Sequence, residues 1–355
     1  KKLAKKKHRH KKGRAQREPM ITRRYLAAAG FAIVAVVAAA RAADTPAKNR
    51  TTPWISPSNA SYVSLPRIVK EYAHDSGAFT QGLVFGADGA LYESDGLYRK
   101  SRVRRVELDT GKTLAKNLNA NEHFGEGLAA IGEKLYQLTW REGAMHEYDT
   151  KTLRRLSTRA QPFHGEGWGL AYDETTGLAY GTDGTHRVHV LRPAHNWAAL
   201  HVLRVKDERL GGTLIEGLNE LEMVEGELWA NVLPLRYHKA SPCVGLRRRN
   251  MRRLRRQYLN TQVARIDINT GNVLGWVDLS ALRDKQSSRV RRQPHHFVTN
   301  GIAYRRAAGR PQLLATGKQW DSMFDIDLET SNLGPDHVRS RCDLYLSPTN
   351  SKAHH

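Results

Sequence analysis

The sequence predicts an all-β protein, a five-bladed β-propeller closed by its N-terminal strand and preceded by a signal or signal-anchor segment. Five short apolar runs open with a polar or aromatic residue, then Gly (once Glu), then Leu or Ile. They are Gln81-Gly82-Leu83, Glu126-Gly127-Leu128, Trp168-Gly169-Leu170, Asn219-Glu220-Leu221 and Asn300-Gly301-Ile302. Their heads recur at intervals of 45, 42 and 51 residues, the length of one four-stranded blade. The last interval is 81 residues and falls to 43 when Pro234 to Tyr258 and Asp284 to His296 are set aside as insertions.

Within each unit an inner run leads through a turn to a second run, such as Leu91-Tyr92-Glu93 or Leu135-Tyr136-Gln137, and then to a third and an outer run. Turn clusters mark the last hairpins: Asp109-Thr110-Gly111 after Val103 to Leu108, Asp149-Thr150 after Met145 to Tyr148, and Asn269-Thr270-Gly271 after Val263 to Ile268. Asp/Asn-Thr-Gly between alternating runs is the chemistry of antiparallel connections. The third unit departs from it with Arg192-Pro193-Ala194. After Met323 to Leu328 and a turn expected at Glu329-Thr330 no outer run follows, whereas a spare run, Tyr62 to Tyr72, precedes the first repeat. Placing that run outside the last unit closes the ring and removes the edges an open sheet would expose.

The expected organisation is a basic segment over 1–24, a signal peptide or signal-anchor over 25–42, a linker over 43–60, the repeat domain over 61–330 with a basic insertion at 234–258, and a C-terminal tail over 331–355. The net charge of +22 suggests a nucleic-acid partner until it is located. Lys1 to Arg24 carries twelve Lys/Arg against one acid, and Arg236 to Arg256 carries nine against none, so the repeats are close to neutral. The run Arg247 to Arg256 has no interleaved aromatic residues for base stacking, so nucleic acid is not an expected partner. An anionic membrane surface is the alternative partner for the basic segments, and a solvated loop is the plainer reading of the insertion.

Tyr25 to Ala40 is an apolar run behind Arg23 and Arg24 with Ala40-Arg41-Ala42 after it, the layout of a secretory signal or short anchor, and Met20 could be the true start. A spanning helix wants about 20 apolar residues, which favours cleavage over anchoring. The expected destination is the secretory pathway, either secreted or membrane-anchored with the repeats on the luminal or extracellular side. Two N-glycosylation sequons, at Asn49 and Asn59, fall on the correct side of that segment. The two cysteines, Cys243 and Cys342, allow one disulfide or two thiols. No Cys or His cluster has a metal-ligand spacing; His295-His296 and His354-His355 are bare pairs, so no metal and no cofactor are expected.

In a ring of this kind the first strand of every unit lies beside the axis, so Gln81, Glu126, Trp168, Asn219 and Asn300 should converge near one mouth. Residues two apart on a strand share a face, which adds Phe79 and Phe124. Trp140 and Lys318 occupy matched places at the end of the second run in units two and five. Taken singly, each has a plainer explanation in core packing or backbone satisfaction. Repetition for structure alone, however, predicts the same residue in each unit, and these heads differ.

The stretches Phe79-Thr80-Gln81-Gly82-Leu83, Phe124-Gly125-Glu126-Gly127-Leu128, Tyr136-Gln137-Leu138-Thr139-Trp140, Gly165-Glu166-Gly167-Trp168-Gly169-Leu170, Leu218-Asn219-Glu220-Leu221-Glu222 with Trp229-Ala230-Asn231-Val232, and Asn300-Gly301-Ile302-Ala303 with Thr316-Gly317-Lys318 resemble the plant and bacterial type of glutaminyl-peptide cyclotransferase. The likeness runs from about Tyr62 to Thr330. It implies a five-bladed propeller that turns the N-terminal glutamine of peptides or proteins into pyroglutamate with loss of ammonia, without a catalytic metal; a monomer is expected. It implies a pocket walled by Phe79, Phe124, Trp140 and Trp168 with Gln81, Glu126, Asn219 and Lys318 as its polar members; the chemistry of the reaction then makes Glu126 and Lys318 the expected catalytic residues and the other six the expected substrate-binding ones. Relatives usually continue Ala-Asn-Val with Trp where this chain has Leu233. That departure, beside the basic insertion, keeps open a second reading, a secreted or membrane-tethered propeller that binds without turnover.

Overall fold

A computed structural model describes Ser56 and residues 59–233 and 261–342. The chain divides into two units, Lys1–Thr52 and Pro53–His355, and the first lies outside the described residues. The signal or anchor segment, Asn49, Cys243 and the whole of the basic insertion at 234–258 also lie outside them. Among the described residues no helix is long and apolar enough to cross a membrane. Asn59 is exposed.

The protein is all-β and propeller-like. After β1 (Val63–Ala73) come three four-stranded antiparallel sheets: β2 (Thr80–Phe85), β3 (Leu91–Asp95), β4 (Arg102–Val106) and β5 (Thr113–Leu118); β6 (Gly125–Ile131), β7 (Lys134–Thr139), β8 (Ala144–Asp149) and β9 (Arg155–Ala160); β10 (Leu170–Asp173), β11 (Leu178–Thr182), β12 (Arg187–Arg192) and β13 (Ala198–Arg204). A two-stranded hairpin, β14 (Lys206–Asp207) and β15 (Thr213–Leu214), follows and accounts for the longest of the three regular intervals. The remaining strands are β16 (Leu218–Val224), β17 (Glu227–Val232), β18 (Gln262–Asp267), β19 (Val273–Asp278), β20 (Thr299–Arg305), β21 (Gln312–Gly317) and β22 (Ser322–Thr330). With β1 they form one eight-stranded sheet in the order β16-β17-β18-β19-β1-β22-β21-β20.

That sheet is two four-strand groups joined by a short parallel bridge, Val63 to Trp276 and Ser64 to Val277. β1 pairs antiparallel with β22 along nearly its whole length, as expected for the spare N-terminal run. Glu329 and Thr330, expected in a turn, instead continue β22, because the outer strand offers Leu65 and Ser64 as partners. The hairpin fastens this join: the buried carboxylate of Asp207 accepts from Tyr62 Oη at 2.7 Å and from Trp276 Nε1 at 2.8 Å. The tail contributes a helix, Pro335–Cys342, whose Val338 is fully buried in the core and whose His337 Nε2 lies 2.8 Å from Asp278.

The core sits between sheets. Tyr92 and Val103 pack on Leu128 and Leu135; Leu138 and Met145 on Leu170 and Ala179; Tyr180 and Val188 on Leu221 and Leu228. Trp229 and Val263 pack on Ile302 and Leu313, and Leu83 and Leu91 on Ala303 and Leu314, which returns to the first sheet. Burying each such side chain contributes about 1.5–3 kcal/mol, so the succession of apolar faces is what closes the circle. The first strands then lie side by side, β2 by β6, β6 by β10, β10 by β16, β16 by β20 and β20 by β2.

Their proximity explains the recurrent glycine. A Cβ at Gly127 would fall on the backbone of Trp168, Gly169 and Leu170, and Gly301 has φ +109°. The fourth unit has Glu220 there instead, and its buried carboxyl accepts the backbone N–H of Ile302 at 3.1 Å, capping the neighbouring strand.

Candidate functional site

The heads of four first strands stand in the same register, each second in its strand: Gln81 in β2, Glu126 in β6, Asn219 in β16 and Asn300 in β20. At each of them the pairing with the second strand slips, between Thr80 and Gly82, Gly125 and Leu128, Leu218 and Leu221, and Thr299 and Ile302. Such bulges turn a side chain out of the normal alternation and are common beside active sites. Trp168 precedes β10, and Trp140 and Lys318 each follow a second strand directly, β7 and β21.

Phe79, Gln81, Phe124, Glu126, Trp140, Trp168, Asn219 and Lys318 all line one cavity of about 390 Å³. Asn300 stands behind it, where its Nδ2 donates to Thr80 O at 3.0 Å and to Gln81 Oε1 at 3.1 Å. Gln81 Nε2 in turn donates to Glu126 Oε1 at 2.8 Å, and Ser94 Oγ donates to the Glu126 carbonyl. The Lys318 ammonium lies 4.8 Å from the centre of the Phe79 ring. Phe124 meets Phe79 edge-on at 6.1 Å and Trp140 at 5.4 Å. Asn219 is buried, and its Oδ1 has no hydrogen-bond partner among the described residues.

Burial governs the charges. It pushes the Glu126 carboxyl well above the ordinary carboxylate range; the Lys318 ammonium pulls the other way, and the Glu166 and Glu142 carboxylates add to the rise. Burial likewise lowers the Lys318 pKa to about 8, against the pull of Glu126. A buried carboxyl shifted upward and a buried amine shifted downward are groups suited to exchange a proton with a bound molecule.

Other residues around the cavity, some in its wall and some bonded to the wall from behind, were not recognisable as such in the sequence. Glu166 accepts the indole N–H of Trp140 at 2.7 Å and of Trp168 at 3.0 Å. Glu142 accepts from Tyr98 Oη at 3.0 Å and from the Phe124 backbone N–H at 3.3 Å. Both carboxylates lie in loops between strands, which an alternation pattern does not register. Asp284 to His296, set aside above as an insertion, follows a short helix, Ser280–Asp284, carries a second, Ser288–Arg292, and brings His295 and His296 to the cavity. His296 stacks edge-on against Phe79 at 6.4 Å. Leu233 is also part of the wall. Among the described residues no three His, Cys, Asp or Glu side chains are grouped to hold a metal ion.

The family model of glutamine cyclotransferase matches residues 33–237 and 254–328. The chain belongs to the glutamine cyclotransferase family. It is 34% identical over 284 residues to the glutaminyl-peptide cyclotransferase of Arabidopsis thaliana, covering 78% of this chain and 75% of the relative. The crystal structure of Myxococcus xanthus glutaminyl cyclase superposes with a TM-score of 0.61 at 30% identity, covering 77% of this chain and all of that one. The expected resemblance is thus borne out, and the aromatic cavity with one buried carboxyl and one buried amine is the candidate site of this glutamine cyclotransferase.

Proposed function

We propose that this glutamine cyclotransferase converts the N-terminal glutamine of peptides and proteins to pyroglutamate with release of ammonia, on a five-bladed propeller closed by its N-terminal strand. The observation that carries the chemistry is the meeting of Glu126, Lys318, Gln81 and Asn219 in one cavity walled by Phe79, Phe124, Trp140 and Trp168. The closed succession of sheet interfaces supports the blade count.

The reaction is already intramolecular, so the protein's contribution is orientation, a stabilised oxyanion and a proton path. The aromatic walls hold the glutamine side chain folded back on its α-amine and exclude water. The amine nitrogen attacks the side-chain amide carbon, and the carbonyl becomes a tetrahedral oxyanion. Glu126 takes the proton from the attacking nitrogen and delivers it to the amide nitrogen. The old C–N bond then breaks, ammonia leaves and the five-membered lactam remains. Gln81, committed to Glu126 through one amide N–H, orients the carboxyl. Lys318 faces the developing oxyanion, with Asn219 as the neighbouring amide.

Lys318 is protonated below its pKa of about 8 and neutral above it. The substrate amine, with an ordinary α-amino pKa of about 7.7–8.0, becomes reactive as pH rises. Activity should therefore climb toward pH 8 and fall beyond it as the ammonium is lost. Lys318→Met should cost about 10²–10³ in kcat, the scale of one oxyanion donor, and abolish the alkaline fall. A Met variant with an unchanged alkaline limb removes Lys318 from this role.

The deciding experiment is incubation of the purified protein with a Gln-initiated peptide, followed by mass spectrometry for the loss of ammonia. An unchanged peptide mass with retained binding would instead establish the binding-module reading, which Leu233 in the wall keeps in view.

We also place the protein in the secretory pathway on the apolar run Tyr25 to Ala40 and the sequons that follow it, with the basic segments toward anionic lipid. N-terminal sequencing of the exported protein checks the cleavage, and recovery only in the cytosol overturns the placement.

A further inference from the structure

Two of the four aromatic walls come from different sheets and are tied to the same atom. Trp140 follows β7 in the second sheet and Trp168 precedes β10 in the third, yet both indole N–H groups donate to Glu166 Oε2, at 2.7 and 3.0 Å. The other oxygen, Oε1, accepts from Arg141 Nε at 2.9 Å, and the Arg141 guanidinium lies over Trp140, 3.8 Å from its ring centre. The backbone repeats the tie: Gly167 N–H donates to Trp140 O at 2.8 Å, and Gly127 N–H donates to Trp168 O at 2.6 Å. A carboxylate is an acceptor-only group able to take several donors at once, and the three donors hold Glu166 below the ordinary carboxylate range although burial alone would raise it.

We propose that Glu166 is a positioning residue that sets the spacing and angle of Trp140 and Trp168, and so determines how tightly the glutamine side chain is clamped between the two indoles. The role rests on the proposed substrate. Glu166 itself need not touch the reacting atoms; it acts through rings that do. An indole rotates about two side-chain bonds, and without a fixed acceptor each ring can leave the geometry a small planar amide requires. Arg141 keeps the acceptor in place from the solvent side. Misplacing a binding wall by about 1 Å is enough to cost as much as 10²-fold.

The test separates the hydrogen bonds from mere filling of space. Glu166→Leu keeps the volume and removes the acceptor; Glu166→Gln keeps a carbonyl oxygen that can accept both indoles. With a Gln-initiated peptide, E166L should raise KM about tenfold or more with kcat within about threefold, the pattern of lost uniform binding. E166Q should recover most of that KM. The near-ultraviolet circular dichroism of the indoles should change in E166L and be largely restored in E166Q. Trp140→Phe, which keeps a ring and loses only the N–H donor, should raise KM by itself, and adding E166L to it should cost less than E166L costs in the wild type. An unchanged KM in E166L, or equal loss in E166L and E166Q, overturns the role. If E166L does not fold, Trp140→Phe decides: a raised KM supports the role and an unchanged one overturns it. A wild-type protein that binds the peptide without releasing ammonia overturns the activity alone, because the dissociation constant of the same peptide then takes the place of KM in every comparison.

Discussion

Glu126→Gln lowers kcat by roughly 10²–10⁴-fold while the protein folds normally, the range one general acid–base group contributes. The glutamine amide fills the same buried space and can still meet the Gln81 side chain, which donates to Glu126 at 2.8 Å in the parent protein. What is lost is the ability to take a proton from one nitrogen and return it to another. Burial holds the Glu126 carboxyl well above its ordinary range and so makes it the stronger proton acceptor, and no neighbour replaces it: Lys318 is itself needed as a cation. KM should change far less than kcat, since the aromatic walls are untouched. Steady-state ammonia release with unfolding curves of both proteins checks the prediction, and a Gln variant with full kcat would remove Glu126 from proton transfer.

The second large effect is on stability. Arg104 and Glu93 are both fully buried in the first sheet; Arg104 Nε donates to Glu93 Oε2 at 3.1 Å, and its Nη1 reaches Asp75 at 3.2 Å and Thr113 Oγ1 at 3.1 Å. Glu93 Oε1 accepts from Thr80 Oγ1 at 2.7 Å and lies 3.0 Å from His74 Nε2. Arg104→Met should destabilise the protein by about 3–5 kcal/mol, because it leaves a buried carboxylate without its main counter-charge. Burial alone would raise the Glu93 pKa; Arg104 and then His74 hold it below the ordinary value of 4.5. A depressed carboxylate contributes stability above its unfolded pKa and loses it as pH falls through the folded one. The penalty of Arg104→Met should therefore shrink on acidification, and Glu93→Leu added to it should recover part of the loss. Chemical denaturation at two pH values measures both, and a loss below about 1 kcal/mol would show that the pair contributes little.

That network also bears on the site. Thr80 precedes Gln81 in β2, and His74 Nδ1 lies 2.9 Å from the carbonyl of Trp320, two residues beyond Lys318. Asp95, in the same cluster, is pushed up to about 7 by burial and by Glu93. The first sheet thus carries a buried polar frame under the two strands that present Gln81 and Lys318.

The strand heads, the matched places of Trp140 and Lys318, the intervals and the spare N-terminal run were readable in the amino-acid order, because strand alternation and turn chemistry are local and each blade repeats them. Eight of the nine residues that register brought together line the cavity, and the ninth, Asn300, stands behind it on Gln81. Glu166, Glu142 and His296 were not readable: each acts across a gap to a different element, and no spacing along the chain reports which turns face each other. The bulges at Gln81, Glu126, Asn219 and Asn300 sit where neighbouring first strands lie close together, and the shifted proton affinities of Glu126 and Lys318 arise from burial. Chain order therefore settles which side chains head the strands, while packing of one sheet against the next settles how they are aimed, what holds them and whether they carry charge.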